Sequence, residues 1–332
     1  METPTPEPRS RIPPWVKKVI PFLVSAVILY YYFHKQDWQG LLAASSRVNL
    51  YLAILAIMCP QMGLWFFETL IAHRHIEWFH EPASFKTFFW VRGAIYLLIM
   101  LNPSLGLGGF VIYIWRKTGI TWPKLLGIVL FRYGLLIWGI CVLLIPTALA
   151  MHRYVVYENS RIVIWIWWGI LIFGLIWLID AWIYWHHKKF RGISSLIVRN
   201  PEKTIWTAFR SATRKQWLLT WALEVPPAIL YVTGIYFLSR VFDVRIPYLE
   251  FMVLSPFVIA IGDMPVAFAG FGSTTLAFFT FFGEYGSAEA ITALTLFFPF
   301  ARATIRVLIG LASLKPAIKD INILLQKPAS RK

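Results

Sequence analysis

A chain of 332 residues that is 58% hydrophobic and only 14% charged, with a mean hydropathy of +0.62, is not a soluble domain, which would carry about a quarter charged residues. Its net charge of +16 therefore belongs to a polytopic all-α membrane helix bundle, and no nucleic-acid partner is expected. Two cysteines, Cys59 and Cys141, stand alone in apolar runs and read as buried small hydrophobes, not as a disulfide or metal site.

In chain order, residues 1–15 form a polar, proline-rich tail. Lys17 and Lys18 then lead an apolar run to residue 33 with no small-residue cleavage site behind it, which reads as an uncleaved first span. Further spans are predicted at 48–72, 123–150, 161–185, 217–239 and 288–314, each long enough to cross a hydrocarbon core of about 30 Å. Residues 186–215 form a basic connector whose part from 196 to 215 reads as a surface helix, and residues 315–332 form a second polar tail. The membrane domain thus runs from 16 to 314, with a first half at 16–150 and a second at 161–314. Trp168, Trp182 and neighbouring aromatics gather at span ends, where amphipathic rings favour the interface.

Two stretches are apolar but interrupted. Residues 84–117 break at Asn102-Pro103-Ser104-Leu105-Gly106-Leu107-Gly108-Gly109. Residues 247–283 break at Gly262-Asp263-Met264-Pro265 and again at Gly270-Phe271-Gly272. Backbone that leaves a helix inside a bilayer must be buried in protein or line a wet cavity. A matched pair of such breaks in two halves points to a transporter binding site. Each stretch is expected to be a re-entrant hairpin.

Charge supports that expectation. With both termini in the cytoplasm, twenty-two of the 32 basic residues fall in inner segments and six in outer loops, leaving Arg92, Arg132, Arg302 and Arg306 within spans. This is the asymmetry that orients membrane proteins. It makes the first hairpin enter from the cytoplasm and the second from the outer face, so the halves form an inverted repeat by topology.

The four in-span arginines face Asp180, Glu224 and Asp263 as in-span acids, with Glu68 near the inner end of its span. Such residues are costly in a membrane and mark a site or a structural pair. Arg302 and Arg306 are four apart and share a helix face. Two readings follow. Either Arg92, Arg132, Arg302 and Arg306, with Asp263, line a cavity for an anionic headgroup, or the arginines pair with Asp180, Glu224 and Asp263 to hold helices together. His73, His75 and His80 fit no zinc spacing and read as interfacial histidines, so no metal or cofactor is expected.

The hairpin features resemble the membrane domain of bacterial lysylphosphatidylglycerol synthases and related stand-alone integral membrane proteins. Pro103, the pair Gly108-Gly109 and then Arg132 match the first hairpin and the span after it. Pro265, Gly270-Phe271-Gly272, Gly286 and Arg302 match the second. The resemblance implies movement of phospholipids or related polar lipids between leaflets of a bacterial inner membrane. It would lead one to expect an acidic residue and then an arginine after the first glycine pair, where this chain has Phe110 and Tyr113. It would also place a glutamate after the second pair, where this chain has Thr275.

The leading expectation is a lipid translocase with anionic membrane lipids as partners, and a homo-oligomer stays open. A membrane-embedded transferase on a lipid-linked substrate is the alternative, disfavoured because no catalytic constellation is found. A non-transporting partner of other envelope proteins is the third.

Overall fold

The computed structural model describes residues 38–80, 84–151, 200–262 and 273–326, with isolated positions between 168 and 198. The first span and most of the span at 161–185 lie outside the described residues, as do Asp263, Pro265, Gly270 and Gly272 at the second break.

Among the described residues every regular element is helical. They are α1 (Trp38–Ser46), α2 (Leu50–Phe79), α3 (Phe85–Leu101), α4 (Pro103–Thr118), α5 (Trp122–Met151), a 3-10 turn at Thr204–Trp206, α6 (Thr207–Ser211), α7 (Arg214–Val241), α8 (Tyr248–Gly262), α9 (Ser273–Phe282), a second 3-10 turn at Gly283–Tyr285, and α10 (Ala288–Gln326). One order of elements occurs twice: a long helix, two shorter helices, a long helix. α2, α7 and the Ala288–Asp320 part of α10 are long and apolar enough to cross a membrane.

The chain divides into two compact units, one of Met1–Ala53 and Tyr236–Phe300, the other of Ile54–Ile235 and Ala301–Lys332. In the second unit polarity is inside out. Along α2, Leu55, Met58, Met62 and Phe66 are exposed while Gln61, Thr69 and His75 are buried. Lipid accepts the apolar side chains, and the polar ones need partners that only the interior provides. Phe88, Leu125 and Phe131 are fully buried in the core of this unit. Phe131 meets His75, Phe79, Phe209 and Trp217 edge-on, with ring centroids 5.2–5.8 Å apart.

The first interrupted stretch shows how the sequence makes a hairpin. A residue before proline is driven to extended backbone, and Asn102 has φ −163° and ψ 126°. Its N–H still closes α3 by donating to Leu98 O at 2.9 Å. Its carbonyl accepts from Gly106 N at 3.1 Å, and its side-chain oxygen accepts from Leu105 N at 3.4 Å. Asn102 is thus the last cap of one helix and the first cap of the next, with Pro103 at the helix position that needs no N–H.

The break is therefore one residue wide, and the glycines expected to belong to it lie inside α4. Two of them serve contact between the arms. A Cβ on Gly106 would collide with the Ile99 side chain and come within 3.1 Å of its backbone, and one on Gly109 would lie 2.9 Å from Leu98 Cδ1. Gly108 faces open space. Contacts of Leu98 with Gly109, and of Phe88 with Phe110 and Tyr113, run in opposite directions along the two arms, so α3 and α4 are antiparallel. α4 ends at Gly119, whose φ of +68° suits glycine and whose N–H reaches Trp115 O at 2.9 Å.

Close approach also ties the hairpin to the last helix. A Cβ on Gly93 would overlap Ser313, and one on Gly310 would lie 2.6 Å from Leu97 Cγ. Lys117 pairs with Asp320 at 2.7 Å, and Tyr113 donates to the same carboxylate at 2.8 Å. α10 is helical to Gln326, so it runs on beyond the span predicted at 288–314, and these bonds hold its Asp320.

Proline sets another contact. Pro60 inside α2 has no N–H, so Ala56 O loses its helical donor. Gly234 of α7 lies against this point, where an added Cβ would be 2.6 Å from Ala56 O and inside contact distance of Pro60 Cγ.

In the first unit Phe251 of α8 stacks on Phe282 of α9 with centroids 5.2 Å apart. Tyr285 bonds Glu250, and Thr275 donates to Thr295 Oγ1 at 3.0 Å, fully inside.

Two further expectations are corrected. Cys59 is exposed, not buried, because α2 turns that side outward; the Cys141 side chain lies outside the described set. The basic connector does not form one surface helix over 196–215. Its described part is the 3-10 turn, the short α6 and a break at Ala212, because the backbone there packs closely on Gly127 of α5.

Gly234→Ala is expected to lower the thermal midpoint of the detergent-purified protein by an amount equivalent to about 1–3 kcal/mol, the usual cost of overpacking. Gly108→Ala should be neutral or stabilising, since a helix gains up to about 1 kcal/mol from alanine over glycine. Equal melting of both variants would contradict the packing described.

Candidate functional site

All four in-span arginines belong to the second unit, and so do Glu68 and Glu224. Their environments differ. Arg92 on α3 donates from Nε (3.1 Å) and Nη2 (2.7 Å) to a single oxygen of Glu68 on α2. Tyr96, one turn along α3 from Arg92, donates its hydroxyl to that same oxygen at 3.2 Å and accepts from Gln61 Nε2 at 3.3 Å. The Phe110 ring of α4 lies under Arg92, 5.2 Å from Cζ to centroid. Arg132 on α5 donates from Nε to Glu224 on α7 at 2.9 Å. Side chains in both pairs are 11–24% exposed.

Arg302 and Arg306 on α10 have no carboxylate within salt-bridge distance among the described residues. Their Nε atoms are buried and have no acceptor among the described residues. Each guanidinium instead lies over an aromatic face. Arg302 Cζ is 5.0 Å from the Tyr231 ring of α7, and Arg306 Cζ is 5.5 Å from the Tyr96 ring. A ring face attracts a cation but removes none of its charge. Among the described residues, two of the four guanidinium groups are matched by a carboxylate, Arg92 by Glu68 and Arg132 by Glu224, and Arg302 and Arg306 are matched by none.

The residues expected to form one cavity therefore separate into two kinds. Arg92 and Arg132 are held in ion pairs that join α3 to α2 and α5 to α7. Arg302 and Arg306 lie over aromatic rings and have no carboxylate partner among the described residues. Asp180 is half-buried, and Asp263 lies outside the described residues.

Sequence reasoning missed Tyr96, Tyr231 and Gln61, and it left Glu68 out of the site. Helical spacing carries part of the signal. Tyr96 is four residues from Arg92, and Tyr231 is seven from Glu224, so each shares a face with a charged residue. The three histidines have local partners. His75 bonds Ile71 O at 2.6 Å and Thr220 Oγ1 at 3.0 Å, His80 bonds Thr118 O at 2.8 Å, and His73 lies edge-on to Phe85 and Phe88. Among the described residues no group of histidine, cysteine or acidic side chains could hold a metal.

Apolar spanning helices with polar side chains turned inward define an integral membrane protein of the all-helical class. The chain belongs to the family described as the lysylphosphatidylglycerol synthase TM region, which it matches over residues 18–310. Comparison with curated proteins finds no match. Where the family resemblance led one to expect an acid after the first glycine pair, Phe110 forms the ring under Arg92, whose ion-pair partner is Glu68 of α2. Where it led one to expect an arginine, Tyr113 bonds Asp320.

Removing one member of a buried pair strands the other. Glu224→Gln is expected to cost about 2–3 kcal/mol, at the low end for such pairs because both partners keep some exposure. Arg132→Gln combined with Glu224→Gln should recover most of that loss in a thermal unfolding cycle. Additive losses would show that the two residues do not act as a pair.

Proposed function

We propose that the protein is a lipid translocase that moves a polar lipid with an anionic headgroup between leaflets, and that Arg302 and Arg306 receive the headgroup. One observation carries the reading: two half-buried arginines on one helix face, their Nε atoms buried without an acceptor and no carboxylate beside them among the described residues. Ionisable groups inside membrane helices are retained for a partner, and arginine forks match phosphate oxygens.

Other features support it. The antiparallel α3–α4 pair, capped at Asn102 by its own backbone and side chain, is built as a re-entrant hairpin would need to be. It satisfies its turn internally, as lipid would require. The α8–α9 pair would be its counterpart entering from the other face, in an inverted repeat with both termini in the cytoplasm of a bacterial cell. Family membership supports a role in lipid synthesis or translocation.

The test is transport in liposomes, followed by quenching of a labelled anionic lipid, phosphatidic acid, in the outer leaflet. The wild-type protein should exchange the label between leaflets. The double variant Arg302→Gln/Arg306→Gln should be at least about tenfold slower, the loss of a single charge-assisted contact of about 1.4 kcal/mol or more, while Lys203→Gln in the connector stays at the wild-type rate. Unchanged transport in the double variant would exclude the arginine pair as the headgroup receptor.

A further inference from the structure

We propose that the group held between Arg302 and Arg306 is a phosphomonoester, with two negative charges on one phosphate, and not a phosphodiester or a cationic aminoacyl headgroup. This rests on the reading that the pair receives a lipid headgroup, and it names the chemistry of that headgroup.

The argument is one of charge and of oxygen atoms. Arg92 and Arg132 are each matched by one carboxylate, so they ask nothing of a ligand. Arg302 and Arg306 are matched by none among the described residues, and their aromatic neighbours Tyr231 and Tyr96 supply no charge. In a low-dielectric interior an unpaired charge is expensive, and neutralisation is favoured charge for charge. A phosphodiester brings one negative charge and leaves one guanidinium uncompensated. A headgroup bearing an added lysine brings a net positive charge and worsens the imbalance. A phosphomonoester brings about −1.5 to −2 charges at neutral pH.

Geometry agrees. Residues four apart on a helix place their Cβ atoms about 5–6 Å from each other, so two long arginine side chains can close on one phosphate. Both Nε–H groups are buried without an acceptor, and each fork has a second N–H beside it. Three terminal oxygens of a monoester serve two bidentate forks, whereas a diester offers two. Glu68 sets the limit of the site. It is already bonded to Arg92 and to Tyr96, whose ring lies under Arg306, so the anion is confined to the α10 face.

The full-length protein is placed in phosphatidylcholine nanodiscs containing either phosphatidic acid, a monoester, or phosphatidylglycerol, a diester, and bound lipid is counted by native mass spectrometry. At about pH 8 phosphatidic acid should bind at least tenfold more tightly. That preference should fall severalfold by about pH 5, because protonation near pH 6 removes the second charge. Arg302→Gln and Arg306→Gln should each abolish the preference while retaining weak binding of both lipids. A merely structural role would weaken both lipids alike and leave the ratio and its pH dependence unmoved.

Equal affinity for the two lipids, lost in the double variant, would overturn the phosphomonoester and leave the anionic-lipid reading standing. Binding of neither lipid above the double variant would overturn both. Millimolar inorganic phosphate is the third arm. Displacement of phosphatidic acid by it supports the shared phosphate chemistry at the pair. Phosphate protection against thermal unfolding, abolished in the double variant and seen without any preference for phosphatidic acid, would overturn the lipid monoester in favour of a free phosphate.

Discussion

An arginine inside a membrane protein cannot shed its proton to escape burial, so its charge must be met by another charge or by water. That requirement organises the unit formed by Ile54–Ile235 and Ala301–Lys332. Glu68 meets Arg92 and Glu224 meets Arg132; the first pair joins the consecutive helices α2 and α3, the second joins α5 to α7 across 92 residues. With those two arginines spoken for, the positive charge left on α10 becomes specific. It belongs to Arg302 and Arg306, one helical turn apart, each resting on a tyrosine ring.

Close packing keeps these groups in place. Gly93 against Ser313, Gly310 against Leu97 and Gly234 against Ala56 O let helices approach more closely than any larger residue would permit. In lipid, where apolar side chains gain little by hiding from the solvent, such contacts carry much of the helix association. The hairpin arm bearing Arg92 and Tyr96 is thereby fixed to the helix bearing Arg306. Lys117, Tyr113 and Asp320 secure the far end of the same assembly. An aromatic ring under Arg92 and a tyrosine on Asp320 stand where the family resemblance suggested charged residues.

Much of the helical architecture was legible in the sequence, since hydropathy and length locate spans without knowledge of contacts. The break before Pro103 was legible too, because proline restricts the residue before it whatever surrounds it. The role of the glycines was not: whether Gly106 opens a turn or admits a neighbour depends on what lies across from it, here Ile99. That the last helix runs on beyond its predicted span was not legible, because the partner of its Asp320 is Lys117, some two hundred residues away in the chain. For the site, composition could name the arginines as misplaced charges but could not divide them. That division rests on Glu68 and Glu224, whose partners come from other helices, and Tyr96 and Tyr231 gave no signal beyond their spacing.

The central claim is that Arg302 and Arg306 are the unmatched pair awaiting an anion. It is tested most directly by an electron cryomicroscopy structure of the protein in nanodiscs containing phosphatidic acid. The account predicts phosphate density bridging the two guanidinium groups, with Arg92 and Arg132 still on Glu68 and Glu224. A map in which Arg302 and Arg306 are each paired with a carboxylate of the protein, with no lipid phosphate beside them, would contradict it.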